Sequence, residues 1–365
     1  QAVYVAPVTE TEAVLCEIWQ ELLGLERVGI TDNFFELGGH SLLITRLITR
    51  INQKLDLQLT VTQLFEFQTI QQIIEHIKYD SANSSIRIPS DPENLVLLKK
   101  GNKTLVPLFF IHPVGGNAHC YLALANAIDY QGCIYAIQKQ ETDERSIEEM
   151  ASHYIDIINI HGTPKKYNLL GWSMGGVIAY EMAQQLPNES VSLTMLDSFN
   201  PAKGISYTEQ SERQESLQML GIMLSELGIR FSQFQHLVDE NSIEELIEYA
   251  LHQGIKQHVL PHDFTVQEFT QRYQVLLENN AALKAYRPVK LDRQVTIISA
   301  AKSQRNSGAG WEDITAGLKN VSVNGDHFSI ITMPNVLITA AEINTVLRDN
   351  ILTKSADRQA GNLVS

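Results

Sequence analysis

Cysteine is scarce in this sequence. Cys16, Cys120 and Cys133 are scattered through 365 residues with no CxxC pair. That argues against a disulfide framework and a metal site, and fits a reducing cytoplasm. Long apolar runs are missing too: none approaches the roughly 20 residues a bilayer-crossing helix needs. The N-terminus has no basic start followed by an apolar stretch, so no signal peptide is expected. The absence of an initiator Met suggests a fragment of a longer polypeptide. Positive charge is in deficit, with 28 Lys/Arg against 42 Asp/Glu and a formal net charge of −14. An acidic surface repels phosphate backbones and anionic lipid, so neither nucleic-acid nor membrane partners are expected.

Hydrophobic residues make up 44% of the chain and charged residues 19%, enough apolar material for sizeable cores. The length suits two domains of unequal size. Residues 12–26 carry Val14, Leu15, Ile18, Trp19, Leu22 and Leu23 at helical spacing. Further helical spacing begins near Ser41 and runs again from Thr60 to Tyr79, so residues 1–79 are expected to form a small all-α bundle. Residues 80–93 are rich in Ser, Asn, Asp and Pro and read as a flexible linker. From residue 94 to 352, short apolar runs (Leu105–Ile111, Cys133–Ile137, Tyr167–Leu170, Ser190–Leu196 and Val295–Ser299 among them) alternate with helical patterns. That alternation predicts an α/β fold with a mostly parallel sheet. It stops across 200–287, where three helical patterns predict an all-helical insertion. Residues 353–365 read as a frayed polar tail.

Gly171-Trp-Ser-Met-Gly175 directly follows the apolar run Tyr167–Leu170 and precedes a helical pattern. A G-x-S-x-G between strand and helix is the nucleophile elbow, whose glycines allow a turn tight enough to expose a strained serine. The competing reading is a glycine-rich turn with a bystander serine. A serine hydroxyl needs a base, and the base an orienting acid, in the chain order Ser, acid, His. His327, in Gly325-Asp-His-Phe, is the last histidine, and the others after Ser173 all fall in the helical insertion. Asp197 directly follows Ser190–Leu196, whereas the loop after Val295–Ser299 has no carboxylate before Glu312. Asp197 is therefore the expected acid, and Asp326, adjacent to His327, a loop-stabilising residue. An oxyanion needs two N–H donors. Met174, after the nucleophile, should supply one. Val114, in Ile111-His-Pro-Val-Gly-Gly116, should supply the other, with Gly115 as the alternative. His112 is read as structural and Cys120 as core.

A second motif, Asp32-Asn-Phe-Phe-Glu-Leu-Gly-Gly-His-Ser41-Leu, places two glycines before a helix and a serine at its N-cap. A phosphodiester there would be stabilised by the helix dipole. The stretch resembles the attachment motif of the peptidyl carrier proteins of nonribosomal peptide synthetases. The resemblance implies a 4′-phosphopantetheine covalently attached at Ser41, installed by a phosphopantetheinyl transferase, and upstream synthetase modules as partners. His112-Pro-Val-Gly-Gly, Gly171-Trp-Ser-Met-Gly-Gly, Leu196-Asp197 and Gly325-Asp-His327 resemble the type I thioesterase that ends such synthetases, and Gly310-Trp311 is compatible with it. This implies an α/β-hydrolase fold in which the insertion is a lid.

The expected chemistry is release of a peptidyl or acyl chain from the carrier thioester through an acyl-Ser173 intermediate, by hydrolysis or macrocyclisation. Competing readings are a carrier or interaction module with an inactive hydrolase domain, and an editing thioesterase. The carrier segment and the insertion both hold more carboxylates than cations. This predicts an apolar intramolecular docking patch, with Leu42 and Leu43 as candidates, and release insensitive to salt. Apolar residues of the insertion, among them Met219, Met223, Leu246 and Leu276, are candidates either for lining a product pocket or for packing among themselves.

Overall fold

The computed structural model describes residues 4–39, 41–55, 59–82, 94–139, 144–159, 166–186, 191–203, 212–257, 259–303 and 310–361. Its elements run α1 (Glu10–Leu23), α2 (Ser41–Leu55), α3 (Val61–Glu66), α4 (Ile70–Ala82), β1 (Leu95–Lys99), β2 (Leu108–Ile111), α5 (Leu122–Ala127), β3 (Ile134–Ile137) and α6 (Ile147–Asn159). They continue with β4 (Tyr167–Trp172), α7 (Met174–Gln185), β5 (Val191–Leu196), α8 (Glu212–Glu226), α9 (Ile243–Lys256), α10 (Val266–Ala285), β6 (Leu291–Ala300), β7 (Thr315–Val323) and α11 (Val336–Gly361). The chain divides into two compact units, Gln1–Val96 with Thr208–Leu277, and Leu97–Tyr207 with Glu278–Ser365.

In the first unit, α1 starts on a reciprocal cap between Thr9 and Glu12 and ends at Gly24 in the left-handed region. Its apolar stripe, Leu15, Ile18, Trp19 and Leu22, is buried. Trp19 meets Phe34 edge-on at 5.1 Å, and Phe35 stacks on Phe65 at 5.2 Å, which pins the loop ahead of α2 to the bundle. The stretch from Thr60 to Tyr79, expected to hold helical spacing, forms two helices, α3 and α4. The Gln68 carbonyl accepts the Phe34 N–H and Thr69 bridges to Asn33, so this segment spends its backbone groups on the loop rather than on a helix. Helix α4 runs to Ala82, three residues into the expected linker, and residues 83–93 of that linker lie outside the described residues.

The same unit holds α8, α9 and the first part of α10. Met219, Met223, Leu224, Leu246, Ala250 and Leu276 are all buried. Arg46 of α2 pairs with Asp263 and Glu268, and Arg50 with Asp263. These ion pairs were not expected from the sequence. Net regional charge concealed two arginines that face two carboxylates. Leu43 belongs to the core instead, and the Leu42 side chain lies outside the described residues.

The second unit is built on a seven-stranded sheet in the order β1-β3-β2-β4-β5-β6-β7, parallel from β3 to β7. Strand β2 is fully buried, reading as the continuous apolar run that a covered parallel sheet demands. The strand ends are in step: Ile111 pairs with Gly171, and Trp172 with Leu196. The loops after β2, β4 and β5 therefore leave the same edge of the sheet, where open α/β sheets bind ligands. At the C-terminus, α11 extends to Gly361 through most of the expected polar tail. No glycine interrupts the chain between Gly325 and Gly361, and Leu, Lys, Ala, Arg and Gln all favour helix. Among the described residues no helix is long and apolar enough to cross a membrane.

Candidate active site

Ser173 sits between β4 and α7 with φ 58° and ψ −124°, a conformation a non-glycine residue adopts only when its surroundings enforce it. The enforcement is steric. A Cβ on Gly171 would lie 2.1 Å from the Gly175 carbonyl, and one on Gly175 would lie 2.1 Å from the Ile111 carbonyl oxygen. The turn closes that tightly only because both positions are bare. Helix α7 then begins at Met174, so Ser173 stands at a helix N-terminus.

The structure brings Ser173, Asp197 and His327 together. The imidazole Nε2 of His327 is 3.1 Å from Ser173 Oγ, and its Nδ1 is 2.7 Å from Asp197 Oδ2. Asp197 follows β5 directly and is almost fully buried. Burial alone would raise its carboxyl. The His327 hydrogen bond, the Ala300 N–H at 2.9 Å, the His327 charge and a hydrogen bond from Ser303 outweigh it and hold the group below the usual carboxylate range. An ionised Asp197 accepts from Nδ1–H, which leaves Nε2 as the acceptor facing the serine hydroxyl. Trp172 steadies the imidazole: its indole N–H donates to the His327 carbonyl at 2.9 Å and its ring lies 5.1 Å from the imidazole. Trp311, fully buried, donates to the Ser198 carbonyl at 3.0 Å, next to the acid. Asp326 accepts from the Phe328 and Ser329 N–H groups and so shapes the loop that carries His327.

The loop after β2 makes a turn closed by the Gly116 N–H on the Pro113 carbonyl at 2.9 Å. Val114 and Gly115 occupy its two middle positions, and the closing bond uses neither of their N–H groups. The carbonyl ends of both peptide units are held. His112 Nδ1 donates to the Pro113 carbonyl at 2.8 Å, while its Nε2 accepts from the Tyr154 hydroxyl at 2.6 Å. Asn279 Nδ2 donates to the Val114 carbonyl at 2.8 Å. In a trans peptide the N–H points opposite to the C=O, so these contacts aim the N–H groups of Val114 and Gly115. Buried Tyr121 ties the two strand ends, donating to the Ile111 carbonyl at 2.6 Å and accepting from the Trp172 N–H at 2.8 Å. Tyr121, Tyr154 and Asn279 carry no motif, and sequence reading missed all three. Cys120 is half-buried, its thiol 3.7 Å from the Asn117 carbonyl.

The attachment motif lies in the other unit, and α2 begins at Ser41 itself. The preceding His40 and the Ser41 side chain lie outside the described residues. The loop before it is fixed by the Asn33 Oδ1 acceptor for the Phe35 N–H and by the Gly39 N–H on the Phe34 carbonyl, both at 2.9 Å. A 15-residue helix with no acidic residue in its first turn presents a positive end, which fits a phosphodiester. Among the described residues no group of three or more His, Cys, Asp or Glu could hold a metal ion.

A thioesterase-domain family model matches residues 106–345, and a phosphopantetheine attachment-site model matches residues 13–77. The sequence is 37% identical to a dimodular nonribosomal peptide synthase of Bacillus subtilis (strain 168) over 219 residues, 58% of this chain and 9% of the relative. It is 26% identical to tyrocidine synthase 3 of Brevibacillus parabrevis over 355 residues, 96% of this chain and 5% of the relative. Among solved structures, a holo four-domain nonribosomal peptide synthetase bound to AMP and glycine is similar with TM-score 0.65 at 28% identity, covering 94% of this chain and 26% of that one. The chain spans less than a tenth of the length of these curated relatives.

Proposed function

Because this chain belongs to the thioesterase family and carries a phosphopantetheine attachment domain ahead of it, we propose that it releases a peptidyl or acyl chain from its own carrier through an acyl-Ser173 intermediate. On this reading residues 1–79 are the carrier, 94–352 an α/β-hydrolase thioesterase, and the helices of 200–287 its lid. The arm on Ser41 supplies the thioester. His327 Nε2 takes the Ser173 proton as Oγ adds to the thioester carbonyl. Asp197 holds the imidazole tautomer and stabilises the imidazolium. The N–H of Met174 and that of Val114, or of Gly115, stabilise the oxyanion. His327 returns the proton to the departing sulfur, leaving an ester on Ser173. Water, or a nucleophile within the acyl chain, then adds to that ester with His327 again as base, the bond from Ser173 Oγ to the acyl carbon breaks, and His327 returns the proton to Oγ.

The observation that most supports this reading is the single imidazole that reaches Ser173 Oγ at 3.1 Å and Asp197 at 2.7 Å. A bystander serine needs no such partner, and an inactive hydrolase would have no reason to keep Asp197 ionised while buried. The test is intact mass after enzymatic loading of an acyl-pantetheine arm, followed over time beside Ser173→Ala. Loss of the acyl group from the parent protein and its retention in Ser173→Ala is the expected result. Release at the same rate in both would overturn the mechanism. The mass of the freed product separates hydrolysis from cyclisation, which differ by one water.

A further inference from the structure

We propose that Asp263 and Glu268, at the start of α10, form the docking site for the carrier's helix α2, gripping it through Arg46 and Arg50. This rests on the carrier–thioesterase reading above and names the surface that reading needs. Arg46 pairs with the Asp263 carboxylate, reaches both Glu268 oxygens at 2.8 Å and the Asp263 carbonyl at 3.1 Å. Its guanidinium also lies over the Phe264 ring, 4.9 Å from the centroid. Arg50 takes the other Asp263 oxygen at 3.2 Å. Arg46 and Arg50 are four residues apart and so share one helix face. The planar Arg46 guanidinium spans two partners, Nη1 on Asp263 and Nη2 on Glu268, which fixes orientation as well as proximity in a way a lysine at the same place would not.

Three features separate this cluster from an incidental surface pair. The Arg46 side chain is only 14% exposed, while its partners Asp263 and Glu268 remain 48% and 39% exposed, so the cation is covered and the carboxylates stay open to salt. The acidic partner is set in advance. Glu268 accepts from the Thr265 N–H at 2.8 Å, and Thr265 Oγ1 accepts from the Glu268 N–H at 3.2 Å, a reciprocal cap that holds the carboxylate whether or not a carrier is present. Arg50 is likewise held by Glu21 of α1 at 3.1 Å. Pre-set groups lose less side-chain entropy on meeting. The gripped helix is also the one that begins at Ser41. Arg46 lies five residues, about 7.5 Å of helix rise, from it. The dock therefore orients the helix that bears the arm.

The test uses the full chain and three variants: Arg46→Glu, Asp263→Arg and the two combined. Glu268 is left intact because it also caps α10. At about 0.05 M salt, each single variant should release a carrier-loaded acyl chain about tenfold more slowly. Each should hydrolyse a small acyl thioester supplied free in solution at the parent rate. The combined variant should recover only part of the loss, because it rebuilds the 46–263 ion pair but leaves like charges facing each other at the 46–268 and 50–263 contacts. Hydrogen exchange supplies a readout independent of activity. Backbone amides of residues 263–270 should exchange faster in Arg46→Glu, and faster in the parent when salt is raised to about 0.5 M, where screening is stronger. Unchanged release in both single variants, or unchanged exchange, would overturn the dock. A parent protein inactive on both substrates would sink the release function instead, and the exchange experiment would still decide the dock.

Discussion

On the proposed mechanism, His112 acts on the chemistry from outside the triad, through the loop it holds. Burial drives its imidazole down to about 4, and Lys139 adds to that, against the opposing pull of the Pro113 carbonyl. It is therefore neutral at pH 7, which its bonding requires: one nitrogen donates to Pro113 and the other accepts from Tyr154. The folded value lies below the ordinary 6.5, so the unfolded chain binds the proton first as pH falls. The stability associated with a neutral His112 is fully present above 6.5 and is lost progressively toward pH 4, by about 3 kcal/mol. His112→Phe should lose that pH dependence, read as the shift of the urea midpoint between pH 7 and pH 5. It should also lower kcat about tenfold with KM little changed, because the Pro113–Val114 peptide is no longer held from behind. A kcat equal to the parent's would mean that the oxyanion loop does not depend on His112. Asp197→Asn probes the other side of the site. It should lower kcat by about 10³ to 10⁴ while leaving fluorophosphonate labelling of Ser173 slow but measurable, since the amide oxygen takes the Ala300 N–H and turns the NH2 toward Nδ1, which selects the tautomer with its proton on Nε2. The sequence made Ser173, Asp197 and His327 legible because each follows a strand-like run in the required order. Tyr154 and Asn279 were hidden because they work through single contacts across the fold, 42 and 165 residues from their partners.

At the scale of elements, the strand–turn–helix around Ser173 was readable because it is local. Gly171, Ser173 and Gly175 carry the motif within five residues, although what requires Gly175 to be bare is the Ile111 carbonyl of β2. The break at residues 67–69 was not readable, because it comes from pairing with Asn33 and Phe34, half a domain away in sequence. The same distinction yields a prediction from three glycines. Gly175→Ala puts a methyl 2.1 Å from the Ile111 carbonyl oxygen, a backbone atom that cannot swing aside. It should push β2 and α7 apart, cost about 3 kcal/mol or more and abolish labelling of Ser173. Gly171→Ala should behave alike. Gly221, in the middle of α8, has no atom nearer than 3.7 Å to the added methyl. Gly221→Ala should therefore stabilise the protein, by about 0.5–1 kcal/mol from helix propensity alone. Thermal midpoints of the three variants check the contrast. A tolerated Gly175→Ala would show that the elbow is looser than its geometry implies.

For the whole molecule, composition and motif order made the sequence of domains readable, while regional net charge gave no sign of the ion pairs on α2. A sum over many residues says little about four side chains that face one another, and Arg46, Arg50, Asp263 and Glu268 are such a set. One consequence of the chain's continuity can be tested without any mutation. On the proposed mechanism Ser41 and Ser173 act within one polypeptide, where a flexible connection would set an effective concentration of order millimolar, independent of the protein in solution. At about 1 to 50 µM protein the intramolecular encounter outweighs the intermolecular one by at least roughly tenfold. The first-order rate constant for release from a loaded chain should therefore stay flat across that range. Mixing loaded Ser173→Ala with an equal amount of unloaded parent protein should release its acyl group far more slowly, and at a rate that rises with concentration. Equal rates in the mixed and the single-chain experiments would mean that the two functional sites of one polypeptide serve different molecules, with the carrier of one chain feeding the thioesterase of another.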